Sequence, residues 1–239
     1  MSFVTDDGPG NPFAVIPVLD LRHGQVVRAR AGARQSYAPI ETPLAKGSDP
    51  ADVARGLLAA FPAPILYVAD LDAIIDRSSP DRGALAAILR ACPGLRLWVD
   101  AGFTRAADVD AFLADGLGRP VIGSESQPDA DLVARLGERA VLSLDSRGPE
   151  RLGPESLHAE ARHWPPEVIV MTLARVGAGS GPDLEGLAAA RARGPGHRIY
   201  AAGGVRGPAD LAALRRAGAA GALVASAIHD GHLRAGHGP

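Results

Sequence analysis

Cysteine, aromatic residues and long apolar runs are all scarce in this chain of 239 residues, and each scarcity excludes something. A single cysteine, Cys92, allows no internal disulfide and fits a reducing compartment. It stands before Pro93-Gly94 at the end of a helical stretch and reads as structural. Aromatics make up 4% of the residues, too few for base or sugar stacking to be a widespread mode of recognition. No basic run is longer than Arg215-Arg216 and the formal net charge is −2, which argues against nucleic acid and anionic membrane as partners. No segment approaches the ~20 apolar residues of a membrane span. The opening MSFVTDDGPGNP has neither the cationic start nor the apolar stretch of a signal peptide, so a cytoplasmic protein is expected. HExxH, paired Cys/His spacing and a GxSxG elbow are missing as well, which argues against zinc and serine hydrolases. Of the seven histidines, His229, His232 and His237 crowd a polar tail and read as solvated.

What the chain does have is one segment twice. Residues 102–124 lie over residues 204–226 at a constant offset of 102 with no gap, and Gly102/Gly204, Ala107/Ala209, Asp108/Asp210, Ala111/Ala213, Gly116/Gly218 and Ser124/Ser226 are identical. IPVLDLR, from Ile16 to Arg22, is echoed by VLSLDSR, from Val141 to Arg147. Two related halves follow, each opening on a strand that carries an Asp.

Eight apolar runs, at 14–19, 65–69, 95–99, 119–122, 140–144, 167–172, 198–202 and 221–225, are continuous rather than alternating. That is the pattern of parallel strands covered on both faces. Helical patterns fill the spaces between them. Asp49-Pro50 opens 51–61, Ser79-Pro80 opens 81–91, Thr104 opens 105–115, Gln127-Pro128 opens 129–137, Gly181-Pro182 opens 183–193 and Gly207-Pro208 opens 209–217. A further helix is expected over about 154–163. Residues 24–47 form an insertion after the first strand, in which residues 25–30 resemble a short extra strand over the barrel mouth. The expectation is a single α/β domain over 14–239, a (β/α)8 barrel of two duplicated half-barrels, preceded by a flexible segment over 1–13.

In such a barrel the carboxyl ends of the strands surround the active site. Here those ends carry Asp20, Asp70 with Asp72, Asp100, Gly123-Ser124, Asp145, Thr172, Gly203-Gly204 and Ala225-Ser226. An Asp at a strand-to-helix junction is commonly a cap or turn former. Asp20 and Asp145 stand apart because they occupy matching places in the two halves. Across one mouth they can act as general base and general acid if their environments separate their pKa values. The glycine-rich tips have another logic, since exposed backbone amides before a helix hold phosphate. Gly203 and Gly204 with Ala225 and Ser226 form one candidate cradle. Gly102 with Gly123 and Ser124 forms the second, where Asp100 places a carboxylate that would repel phosphate. GAGSG at 177–181 reads as a flexible loop over the mouth, and Arg28, Arg30 and Arg34 are candidate anion contacts.

These residues resemble the histidine-biosynthesis isomerase and cyclase family of half-barrel duplicates. The similar stretches are IPVLDLRHGQVVRARAG, YVADLDA, IGSES, LSLDSRG, SGPDLE and AAGGVRGPADLAALRRAGAAGALVASAIHDG, spread from about 14 to 233. The resemblance implies an Amadori-type aldose-to-ketose isomerisation of a phosphoribosyl amine, with Asp20 as base, Asp145 as acid and Thr172 assisting. It implies a phosphorylated small-molecule substrate and no metal or redox cofactor. The chain departs from the family at Asp100-Ala101-Gly102-Phe103, where a glycine-rich turn is usual, and at Ala225-Ser226 in place of Gly-Arg. It also lacks the Gly-Trp of the fifth loop and the Asp-Gly of the sixth. RQSYAPIETPLAKGSDP, YVADLDAI and LARVGAGSGPDLE look more like a divergent isomerase-like subgroup of methanogens and methylotrophs. That subgroup implies, as an alternative, an isomerase or lyase step in the synthesis of one-carbon cofactors of the methanofuran and tetrahydromethanopterin type. A barrel that binds a phosphorylated ligand without turnover is the remaining reading.

Overall fold

A computed structural model of the chain describes residues 13–29 and 37–235. The eight apolar runs are strands β1 (Ala14–Arg22), β3 (Ile65–Asp70), β4 (Arg96–Asp100), β5 (Arg119–Gly123), β6 (Val141–Arg147), β8 (Glu167–Thr172), β9 (Arg198–Ala202) and β10 (Gly221–Val224). They pair in parallel in that order, and β10 returns to β1 through Ala14↔Gly221 to Pro17↔Val224, closing a single (β/α)8 barrel. Two short strands lie outside the ring. β2 (Gln25–Val27) folds back antiparallel on β1, as the insertion suggested, and β7 (Glu150–Arg151) folds back on β6.

Each strand divides its side chains between two apolar bodies, which is why the runs are continuous in sequence. Leu66, Val68, Leu97, Val99, Ile122 and Leu142 pack with helix residues such as Leu57, Leu85 and Phe112. Ile16, Tyr67, Trp98, Val121, Ile169, Tyr200 and Leu223 fill the barrel interior. Trp98 and Tyr200, equivalent residues of the two halves, meet edge to face across that interior with centroids 5.2 Å apart. At the amino-terminal end of the strands Arg119 and Arg198 converge on Glu167, at 2.9 and 3.7 Å. The end away from the strand tips is therefore plugged. At the other end Ala69 and Ala202 are too small to fill the ring, and the barrel opens.

Helices α1 (Pro50–Ala60), α3 (Arg82–Ala91), α4 (Ala106–Ala114), α5 (Asp131–Leu136), α6 (Glu155–Ala159), α7 (Leu184–Arg193) and α8 (Pro208–Arg216) connect the strands. Asp49 caps α1 as expected, accepting from the amides of Ala51 and Asp52 at 3.0 Å. Four other starts differ from expectation, among them α5, which begins at Asp131 after Ala130 rather than at 129, and α7, which is capped by Asp183 rather than opened by Gly181-Pro182. α3 is capped by Asp81 rather than Ser79, because the Asp81 amide is held by Asp70 Oδ2 at 2.7 Å and its own carboxylate then reaches the Ala84 amide. α4 begins after Arg105 rather than Thr104, with no side-chain cap. The expected helix over 154–163 is α6 followed by a single tight turn at Ala161–His163. Helices α2 (Leu71–Asp76) and α9 (Ser226–His229) have no counterpart in the sequence reading.

The duplication is wider in space than in sequence. β3, α3, β4 and α4 recur as β8, α7, β9 and α8, every end point displaced by the same offset of 102 residues that the repeat shows. Asp81 and Asp183 are equivalent caps, and Trp98 and Tyr200 equivalent fillers. The return of β2 onto β1 is matched by that of β7 onto β6, and the halves differ most after these short strands, in the length of chain that leads on to α1 and to α6. Among the described residues no helix is long and apolar enough to cross a membrane. The expected flexible segment lies outside the described residues except for Phe13.

Candidate active site

The open end of the barrel is a cavity of about 760 Å³. β1 and β6 are opposite one another in the ring, and both Asp20 and Asp145 line this cavity. Asp20 is half-buried, in register with Ala69 of β3 and Val27 of β2. Asp145 is buried, at 4% exposure. Ser143, two residues earlier on the same strand face, donates its hydroxyl to Asp145 Oδ1 at 2.6 Å, and the Glu125 amide donates to Oδ2 at 3.2 Å. Burial pushes the Asp145 carboxyl up to about 7, with the charges of Glu125 and Asp100 adding to the rise and the Ser143 and Glu125 hydrogen bonds opposing it. Asp145 thus carries a proton close to neutrality, as a general acid must.

Asp100, at the tip of β4, is a third carboxylate in the cavity. Its Oδ1 accepts from the Gly102 amide at 3.0 Å and its Oδ2 from the Tyr67 hydroxyl at 3.4 Å. A Cβ on Gly123 would lie 3.1 Å from Asp145 Oδ2 and 3.5 Å from Asp100 Oδ2, so these two carboxylates flank the bare backbone of β5. Asp70, by contrast, is a junction cap, bound to the amides of Ala73 and Asp81. Asp72 holds the His23 amide.

The two candidate cradles are placed differently. Gly203, Gly204, Ala225 and Ser226 all line the cavity, on the tips of β9 and β10. Gly203 and Gly204 have φ of 98° and 85°, and a Cβ on Gly204 would lie 2.1 Å from the Gly181 carbonyl oxygen, so the chain requires glycine there. Arg206 lines the same end, fixed on Asp210 through two contacts of 2.9 and 2.8 Å. Gly177 and Gly179 of the sixth loop reach the cavity wall as well.

Gly102, Gly123 and Ser124 are not among the lining residues. Ser124 is fully buried. It accepts the Asp145 amide at 2.8 Å and donates to the Leu152 carbonyl at 2.7 Å. Thr172 is buried behind Met171, its hydroxyl donated to Asp183 Oδ2 at 2.9 Å.

Sequence reading missed several residues of the mouth. Tyr67 carries no local signal. Ser143 was legible in principle, because residues two apart on a strand share a face. His229 corrects the expectation of a solvated tail: α9 lies along the mouth, leaving His229 at 3% exposure with Nδ1 3.1 Å from Thr42 Oγ1. Burial and the nearby Arg28 charge lower its pKa to about 4, so it is neutral. His232 is exposed and His237 lies outside the described residues. Arg28 lines the cavity and is paired with Asp230 at 2.5 Å, whereas Arg30 and Arg34 lie outside the described residues. Among the described residues no three His, Cys, Asp or Glu side chains are grouped as a metal ion would need.

Comparison with known proteins gives one consistent result. Residues 14–234 match a family model described as Histidine biosynthesis protein. A protein of Xanthomonas euvesicatoria pv. vesicatoria is 31% identical, covering 92% of this chain and 96% of its own length. One of Rubrobacter xylanophilus is 32% identical, covering 94% of each chain. One of Shouchella clausii is 28% identical, covering 91% of this chain and 93% of its own. All three are named 1-(5-phosphoribosyl)-5-((5-phosphoribosylamino)methylideneamino)imidazole-4-carboxamide isomerase.

Proposed function

The chain belongs to the histidine biosynthesis protein family, and from that membership and the layout of the mouth we propose that it is an aldose-to-ketose isomerase of a phosphoribosyl amine. The observation that carries this reading is the pair Asp20 and Asp145, on opposite strands around one cavity, with Asp145 held near neutrality. Asp145 gives its proton to the ring oxygen as the bond from that oxygen to C1 breaks and the amine nitrogen forms an iminium with C1. Asp20 then takes the proton from C2, leaving an enaminol. Return of that proton to C1, with the enol proton passing back to Asp145, yields the ketose and restores both carboxyl groups. No atom or electron enters or leaves, so the step needs no oxidant or reductant.

The amides of Gly203, Gly204, Ala225 and Ser226 anchor the substrate phosphate, with Arg206 beside them. Thr172 acts at one remove, holding Asp183 at the root of the sixth loop, whose Gly177 and Gly179 line the mouth. The cytoplasm is the compartment this reading assigns, where such phosphorylated intermediates are made.

The test uses the aniline adduct of ribose 5-phosphate and the two-phosphoribosyl imidazole carboxamide that the relatives are named for. Conversion of either to its 1-amino-1-deoxyketose, followed by proton NMR in deuterated water with label entering C1, is the expected result. Absence of turnover and of label with both compounds contradicts the proposal.

A further inference from the structure

The two ends of the cavity are equivalent by the internal repeat, yet they are built with opposite chemistry. Displacement by 102 residues takes Ala202-Gly203-Gly204 onto Asp100-Ala101-Gly102 and Ala227 onto Glu125. At the β9 and β10 end the backbone tips line the cavity. At the β4 and β5 end the equivalent groups are already occupied. The Gly102 amide is held by Asp100 Oδ1 at 3.0 Å, the Glu125 amide by Asp145 Oδ2 at 3.2 Å, and both hydrogen-bonding roles of Ser124 are filled by backbone. The segment after β7 also lies across this tip, since a Cβ on Gly153 would come within 1.9 Å of the Ser124 carbonyl oxygen. Arg77 is turned to the Gly102 carbonyl at 3.5 Å and is not a lining residue.

We infer that the protein takes substrates phosphorylated at one end only, and that Asp100 is the residue that rejects a second phosphate. The carboxylate stands where the repeat would otherwise present an anion-binding amide, so it both fills the position and repels a dianion. β4 and β9 are opposite in the ring, so a bound molecule with its phosphate on Gly203 and Gly204 extends its far end toward Asp100. That end is neutral or cationic and donates hydrogen bonds. The relatives' printed substrate has two phosphoribosyl groups, so this chain and its relatives differ in what they prefer.

The inference rests on the mouth being the substrate site but not on turnover, so the test separates the two. Affinities of the full chain are measured by calorimetry for the two-phosphoribosyl imidazole carboxamide and for the same compound lacking the imidazole-side phosphate. The one-phosphate form is expected to bind at least about tenfold more tightly, because the second phosphate meets a carboxylate. Asp100→Ala, which copies Ala202 of the other half, is expected to abolish that preference, and Asp100→Asn, which keeps the shape and removes the charge, to reduce it. Equal affinity for the two forms in the parent, or any preference for the two-phosphate form, overturns the inference. So does an unchanged preference in a folded Asp100→Asn variant. A parent that prefers the one-phosphate form but converts neither compound keeps this selectivity and loses the isomerase reading. A parent with the higher kcat/KM for the two-phosphate form keeps the isomerase and loses the selectivity.

Discussion

In the proposed mechanism Asp145 serves as the acid only while it holds its proton, and burial holds that proton while the neighbouring side chains tune it. With its carboxyl raised to about 7, kcat is expected to fall on the alkaline side of about pH 7. Glu125 raises that value through its charge and Ser143 lowers it through a hydrogen bond. Glu125→Gln should therefore move the alkaline limb to lower pH, and Ser143→Ala should move it to higher pH. A pH–rate series on the three proteins checks both signs, and movement of the two limbs in the same direction would remove Asp145 from the acid's role. Asp20 and Asp145 were legible in sequence because the duplication marks them twice. Glu125 and Tyr67 were not, since they meet Asp145 and Asp100 through space from other strands, whereas Ser143, two residues before Asp145 on β6, was legible by its spacing and was passed over. His229 was misread because a histidine in a polar tail gives no sign that the tail packs against the mouth of the barrel.

The elements were legible where they are long or wholly apolar. Strands covered on both faces appear as continuous apolar runs, and all eight fell in place on that signal alone. α2, with 6 residues, and α9, with 4, are too short to show helical periodicity. The α3 cap slipped because the Asp81 amide is recruited by the Asp70 carboxylate. Asp81 and Asp183 cap equivalent helices, but Asp183 also accepts the Thr172 hydroxyl. Asp81→Ala is expected to cost about 1 kcal/mol in urea unfolding. Asp183→Ala should cost more, by roughly a further 1 kcal/mol for the buried hydroxyl left without its acceptor. Equal losses at the two sites would show that the Thr172 bond contributes nothing to stability.

At the scale of the molecule, the barrel is plugged at one end and hollow at the other, and both ends leave a mark on stability. Trp98 and Tyr200 close the interior, so Trp98→Ala should destabilise the fold by about 3–5 kcal/mol, read from the denaturant midpoint. The hollow end shows itself through pH. Between its ordinary value of 3.8 and its folded value of about 7, Asp145 keeps a proton in the folded chain that the unfolded chain releases. Its contribution is therefore complete at low pH and is lost as pH rises through about 7. His229, lowered from 6.5 to about 4, contributes the opposite slope, present above 6.5 and lost as pH falls toward 4. The stability of Asp145→Asn relative to the parent should climb as pH is raised from about 4 to about 7 and level off beyond. A difference that does not vary with pH would mean that Asp145 is not a buried acid.

The most direct measurement is of kcat in Asp20→Asn and Asp145→Asn, alongside their affinity for ribose 5-phosphate. Each variant is expected to lose about 10²–10⁴-fold in turnover while binding the sugar phosphate as the parent does. Turnover within a few-fold of the parent in either variant would contradict acid and base catalysis by this pair.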